Sequence, residues 1–185
     1  INTRPVTQTF EVLACLPPRY LRWNIRFSMK EYPAPLDLKK VKVYPLAERN
    51  SLSELDKMLV DPRQRPPHCA APVLQAIGAC ARLIRAARQN GASVMLLYGA
   101  HLIKNGAMRI VNELIANGWV SHLATNGAGT IHDWELAFQA RTEESVRKNV
   151  ATGTFGTWDE TGRNIHLALL AGALREDGYG RSLGR

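Results

Sequence analysis

Two short stretches carry the residues best suited to chemistry in this chain: GAHLIKNG at 99–106 and ATNGAGTIHD at 124–133. Each follows an apolar run that reads as a strand and precedes a helical pattern. Each therefore belongs at the carboxyl end of a strand, where helix amides also point. Gly99, Ala100 and Gly106 in the first stretch, with Thr125, Asn126, Gly127, Ala128 and Gly129 in the second, are small or turn-forming residues that let a ligand approach the backbone. They form a candidate cofactor-binding set. The competing reading is a pair of tight turns required by packing. Neither stretch is a P-loop, since Lys104 precedes Gly106, and Gly127 with Gly129 gives only the first half of a G-x-G-x-x-G fingerprint.

Three titratable residues at these turns are the catalytic candidates. His132 and Asp133 fall in the first turn of a helix expected to start near Thr130, and His101 lies just past the first strand. Imidazole changes charge near neutrality and suits a proton-moving role. Asp133 suits ribose hydroxyls or a cationic substrate, and equally suits plain stabilisation of a helix start. His122 falls inside a strand and reads as a packed or hydrogen-bonded histidine. No H-x-x-x-H or C-x-x-C spacing supports a metal site, and no G-x-S-x-G elbow supports a serine nucleophile.

The elements that must position these residues follow from periodicity. APVLQAIGACARLIRAARQNG places Leu74, Ile77, Ala81 and Ile84 on one helix face, with Arg82, Arg85 and Arg88 late in the run and a stop at Asn90-Gly91. SVMLLY is a continuous apolar run, as in a strand covered on both sides. NGAMRIVNELIANG then reads as a helix, with Ala107, Ile110, Val111, Leu114 and Ile115 at helical spacing, and WVSHLATN as a second strand. Such a strand, helix, strand succession predicts a right-handed parallel crossover. IHDWELAFQ, TEESVRKNV (with Thr142 as its cap) and RNIHLALLAGALRE read as further helices, separated by a loop at ATGTFGTWDETG. The fold class expected is α/β: a parallel, Rossmann-like sheet with flanking helices over 68–185.

Residues 1–67 read as a strand, a linker and a helix attached to that domain. YLRWNIRFSMK at 20–30 alternates, with Leu21, Trp23, Ile25, Phe27 and Met29 on one face and a basic opposite face. A nucleic-acid groove would place aromatics beside the cations, so nucleic acid is disfavoured as a partner. Residues 31–50, with three prolines and the short apolar beat of Val41 and Val43, read as an irregular linker with room for one strand. SLSELDKMLV reads as a short helix capped by Ser51 or Ser53, and DPRQRPPH as a boundary, because proline removes an amide donor.

The bulk numbers bound the rest. The chain has 185 residues, 45% of them apolar, enough for one sizeable core. Cys15, Cys69 and Cys80 lack paired spacing and suit a reducing, cytoplasmic setting. No apolar run is long enough for a bilayer. The formal charge of +8 attracts anions without naming one. The chain starts at Ile1 and stops after the glycine-rich REDGYGRSLGR with no closing element expected, which reads as a piece of a larger fold.

At GAHLIKNG and TNGAGTIHD, joined by MRIVNELIANGWVSHLA, the chain resembles the deoxyhypusine synthase family over 93–139. Its members carry a serine-rich turn opening a helix, then a strand running into T-T-A-G-G-x-E-E-D. Gly106, Thr125, Gly129 and Asp133 match directly. Ala100 and His101 replace Ser-Asn, Lys104 and Asn105 replace serines, and Ile131 and His132 replace the paired glutamates. The resemblance implies NAD as cofactor, an incomplete version of that Rossmann-like fold, and a homotetramer or dimer. It also implies removal of hydride from spermidine or a related amine, then aminobutyl transfer through an imine to a lysine-bearing acceptor protein or a small polyamine. No stretch looks like the family's lysine-bearing loop. The alternatives are a non-catalytic nucleotide-binding protein of the same fold and a basic domain associated with nucleic acid.

Overall fold

A computed structural model describes residue 35 and residues 37–185, and the chain divides into two compact units, Ile1–Lys39 and Lys40–Arg185. The strand expected at 20–30 lies outside the described residues. The second unit is an α/β domain with two two-stranded sheets.

The sheet that positions the two turns is parallel. Strand β2 (Met95–Tyr98) pairs with β3 (His122–Thr125), with Tyr98 opposite Thr125 at their carboxyl ends. Helices α3 (Ala100–Lys104) and α4 (Met108–Ala116) form the connection between them. No further strand joins this pair among the described residues. The expectation that SVMLLY is covered on both faces is corrected: Met95 and Leu97 are 53% and 69% exposed, while Leu96 and Tyr98 on the other face are half-buried. His122 is exposed rather than packed, at the first position of β3.

Helix α2 (Ala71–Gln89) starts with Pro72 in its first turn, where no amide donor is needed, and stops at Asn90 and Gly91, whose φ is +69°. Its apolar row is open, with Leu74 and Ile77 both more than half exposed.

Helix α5 (Gly127–Gln139) begins three residues before the Thr130 start expected from the sequence. Asn126 is its cap: the side-chain Oδ1 accepts from the Gly129 amide at 3.0 Å. Gly127, Ala128 and Gly129 are thus the first helical turn rather than a loop before it. α5 packs on α3 and ends at Ala140, in the left-handed region at φ +55°, which turns the chain into β4 (Arg141–Thr142).

β4 pairs antiparallel with β1 (Ser53–Glu54). This pairing splits the helix expected over 51–60. The Leu52 amide donates to the Glu143 carbonyl and the Leu55 amide to the Ala140 carbonyl, leaving only Leu55–Met58 (α1) helical. Thr142 lies in β4 and is fully buried, so the cap of α6 (Val146–Thr152) is Ser145 instead.

The segment read as an irregular linker is stitched to the domain. Tyr44 bridges Trp158, exchanging backbone bonds with Thr157 and Asp159, and the Leu46 amide donates to the Glu160 carboxylate at 2.6 Å. That bond and the backbone amide of Glu160 itself hold its carboxyl below the ordinary value. These contacts fall at the start of α7 (Asp159–Ala173), which takes in residues read as loop and carries Asp159 and Glu160 in its first turn, as the helix dipole favours. A further helix, α8 (Tyr179–Gly184), closes the chain where none was expected. It packs on α7 because Gly172 leaves room for the Ser182 hydroxyl. The core comprises Leu46, Ile103, Val111, Val120, Leu136 and Ile165.

Candidate functional site

The two turns meet because their strands are parallel neighbours. Gly99 caps α3 and Asn126 caps α5, and a Cβ added at Gly99 would stand 4.0 Å from the side-chain Nδ2 of Asn126. The glycines divide into two kinds. At Gly127 an added Cβ would meet only the Tyr179 hydroxyl, at 4.0 Å, so the backbone is open to an approaching group. Gly129 sits against the Thr125 hydroxyl, and Gly106, at φ +84°, against the Met58 carbonyl. Those two positions are filled by the fold itself.

Beside the first turn of α5 lies a cavity of about 490 Å³, lined by Gly127, Ala128, Ile131, His132 and Glu135 along one face of the helix. Its other walls include Arg49, Lys104, Glu143, Glu144, Phe155, Trp158, Ile165 and Tyr179. Tyr179, from α8, reaches the first turn of α5: Thr130 Oγ1 donates to the Gly127 carbonyl at 2.8 Å, so the Tyr179 hydroxyl, 2.7 Å away, donates to Thr130.

Part of the cavity wall is a buried ion pair. Glu135 is 1% and Arg49 5% exposed, and the guanidinium meets the carboxylate through two bonds of 2.7 Å. Thr142 Oγ1 donates to the same carboxylate at 2.6 Å and Thr161 Oγ1 at 2.8 Å. Burial pushes the Glu135 carboxyl up, but the hydrogen bonds from Arg49, Thr142 and Thr161 with the Arg49 charge outweigh it and hold the group below its ordinary value. The Arg49 guanidinium also lies 5.8 Å from the centroid of the Trp158 ring.

His132 Nδ1 is 2.7 Å from Thr142 Oγ1. Burial lowers its pKa, assisted by the charges of Lys104 and Arg49 and opposed by Glu135 and Glu143. The neutral imidazole therefore persists below the ordinary 6.5. An NMR pH titration is expected to give a His132 midpoint below 6.5; one at or above it would contradict this packing. Because the folded value is depressed, the unfolded chain takes up the proton first, and acidification from 6.5 towards the folded value removes stability.

Two further carboxylates line the cavity. Glu143, at φ +67°, accepts from Lys104 at 2.8 Å and Ser53 at 2.7 Å, and these bonds hold its pKa down. Glu144 accepts from Asn149 at 2.5 Å and from the Gly156 amide at 3.0 Å. It has no cationic partner among the described residues.

Of the proposed catalytic residues, only His132 reaches the cavity. Asp133, one residue on, does not line it; its charge is felt at Tyr98, whose hydroxyl is raised by burial first and by Asp133 second. Desolvation also raises the Asp133 carboxyl. His101 is exposed on α3 and is not part of the lining. Sequence reasoning missed Arg49, Glu135, Glu144, Trp158 and Tyr179. A polar Glu135 directly before the core residue Leu136 was the one local signal. Comparison of the chain with family models, with curated proteins and with solved structures gives no match.

Proposed function

We propose that the chain binds NAD at the paired turns and holds an aliphatic amine cation in the adjoining cavity, acting as an NAD-dependent transferase on a polyamine. The observation that carries this reading is the placing of Gly99 and the Asn126-Gly127 turn after the paired strand ends Tyr98 and Thr125, with the cavity opening beside Gly127 and Ala128. Asn126 takes the Gly129 amide, while the Gly127 and Ala128 amides at the very start of α5 fall outside the intrahelical ladder, which fits the pyrophosphate of a dinucleotide. Thr130 and Tyr179 hydroxyls stand at the same turn. Asp133, on the neighbouring face of α5, fits a ribose hydroxyl.

The cavity fits the other reactant. Ile131, Val146, Phe155 and Ile165 supply apolar wall for methylenes, and Glu144 supplies a carboxylate not already neutralised by a cation. When bound, NAD supplies a hydride acceptor. An ammonium must lose a proton before hydride can leave the neighbouring carbon; His132 and His166 both line the cavity, and His132, in the first turns of α5 beside Gly127 and Ala128, is the one assigned to take it. A non-catalytic nucleotide-binding protein is the second reading, favoured by the saturation of Glu135 and by the pairing of Lys104 with Glu143.

Calorimetric titration of the intact chain with NAD tests the first part. Binding is expected, and Gly127→Val should weaken it about tenfold or more; Gly127→Ala, whose Cβ meets only the Tyr179 hydroxyl at 4.0 Å, is the variant expected to weaken binding with little change in melting temperature. Absence of NAD binding would overturn the reading. Binding without formation of reduced nicotinamide on spermidine or related amines would leave the non-catalytic alternative.

A further inference from the structure

The Glu135 carboxylate receives one donor for each of its lone pairs: Arg49 Nη1 and Thr161 Oγ1 at Oε1, and Arg49 Nη2 and Thr142 Oγ1 at Oε2. An ionised carboxylate only accepts, so the single hydroxyl proton of Thr142 is committed to Glu135. The contact between Thr142 Oγ1 and His132 Nδ1 then has one possible sense: the imidazole Nδ1–H donates and the threonine oxygen accepts. A neutral imidazole with its proton on Nδ1 has its lone pair on Nε2, and Nε2 has no hydrogen-bond partner among the described residues. His132 is one of the residues that line the cavity.

We infer that Arg49, Glu135 and Thr142 form a positioning chain that holds His132 as the Nδ1–H tautomer, leaving Nε2 as a free proton acceptor at the cavity. The arrangement has the logic of an oriented base: a buried anion fixes a hydroxyl, the hydroxyl fixes the imidazole, and the imidazole presents its unprotonated nitrogen. Thr142, Glu135 and Arg49 act through His132 and do not touch a substrate. Thr161 belongs to the same device, since its bond to Oε1 fills the acceptor site that would otherwise admit a different geometry.

The tautomer stands on the hydrogen bonds alone, whereas the identity of the proton donor rests on the amine reading above. The step is a simple transfer: a ligand N–H bond breaks, its electron pair stays on the ligand nitrogen, and the proton joins the Nε2 lone pair to give an imidazolium.

Long-range proton–nitrogen NMR on the uniformly labelled full chain, at a pH above the His132 midpoint and with no ligand added, reads the tautomer directly. His132 is assigned by the signal lost in His132→Gln. The expected result is a protonated Nδ1 and an unprotonated Nε2, the reverse of the form that free imidazole side chains favour in water. Thr142→Ser should keep this pattern, and Thr142→Val should shift His132 towards the Nε2–H form. A wild-type His132 with Nε2 protonated overturns the inference, and so does a folded Thr142→Val chain with an unchanged spectrum. Should Thr142→Val not fold, the wild-type and Thr142→Ser spectra still decide. For amine oxidation, Thr142→Val should lower kcat by at least about tenfold, part of the ~10²–10⁴ that a positioned base contributes, with KM little changed and activity retained in Thr142→Ser. A chain that shows the Nδ1–H form and oxidises no amine would sink the amine reading and support the positioning chain.

Discussion

Replacing Glu135 with alanine is expected to destabilise the second unit by about 3–5 kcal/mol, because it strands a guanidinium in the interior. Arg49 is 5% exposed, and its two terminal nitrogens both bond to Glu135 at 2.7 Å. With the carboxylate gone, Thr142 and Thr161 also lose their acceptor in buried surroundings. Arg49→Ala should cost a comparable amount by leaving an uncompensated buried anion. The double variant Arg49→Met with Glu135→Met should be less destabilised than the sum of the two single losses, since it removes both charges and fills their volume. Urea denaturation at neutral pH measures all of these. Single variants within about 1 kcal/mol of wild type would mean that the pair is hydrated and not buried in the cavity wall.

The same pair makes stability pH-dependent in a defined direction. The folded Glu135 carboxyl lies below its ordinary 4.5, so the unfolded chain binds the proton first as pH falls. The stabilisation is fully present above 4.5 and is lost as pH drops through the lower folded value. His132 adds to the loss in a higher window, below 6.5, for the reason already given.

Gly106→Ala is expected to cost about 2–4 kcal/mol, the sum of a left-handed backbone forced on a side chain and an overpacked contact. Its φ is +84°, and an added Cβ would run into the Met58 carbonyl, a backbone atom with no rotamer to escape into. The Val60 amide donates to the Gly106 carbonyl at 3.0 Å, so neither segment moves without breaking that bond. The paired control is Gly127→Ala, where the space is open and the cost should stay below about 1 kcal/mol. Thermal or urea unfolding separates the two. Equal losses would contradict the division of the glycines into packed positions and open positions.

That division shows where pattern reading stopped. In the sequence Gly106, Gly127 and Gly129 look alike, because a glycine signals permissive backbone without saying what fills the space beside it. Asn126 did offer a signal for the true start of α5, as a strong capping residue two positions before Ala128. Glycines are poor helix formers, and their weak propensity masked the first turn that the cap creates. In α8 the same weakness misled more fully. GYGRSLG becomes helical because Ser182 docks in the gap at Gly172, while Asp177 meets Arg185 at 3.0 Å. Tertiary contact there outweighs local preference.

The sequence by itself determined the elements whose periodicity is strong and local: α2, β2, α4 and β3, with the succession that places 99–106 and 124–133 at neighbouring strand ends. It also marked His132 as a residue able to move a proton. Only the tertiary structure decided which groups surround it. Arg49 comes from a proline-rich segment with no local pattern, Thr142 from a two-residue strand, and Tyr179 from a helix of low propensity. Helical and strand periods report which face of an element is apolar. They carry no information on which distant polar groups must converge to satisfy one buried carboxylate, and that requirement assembled the site around Glu135.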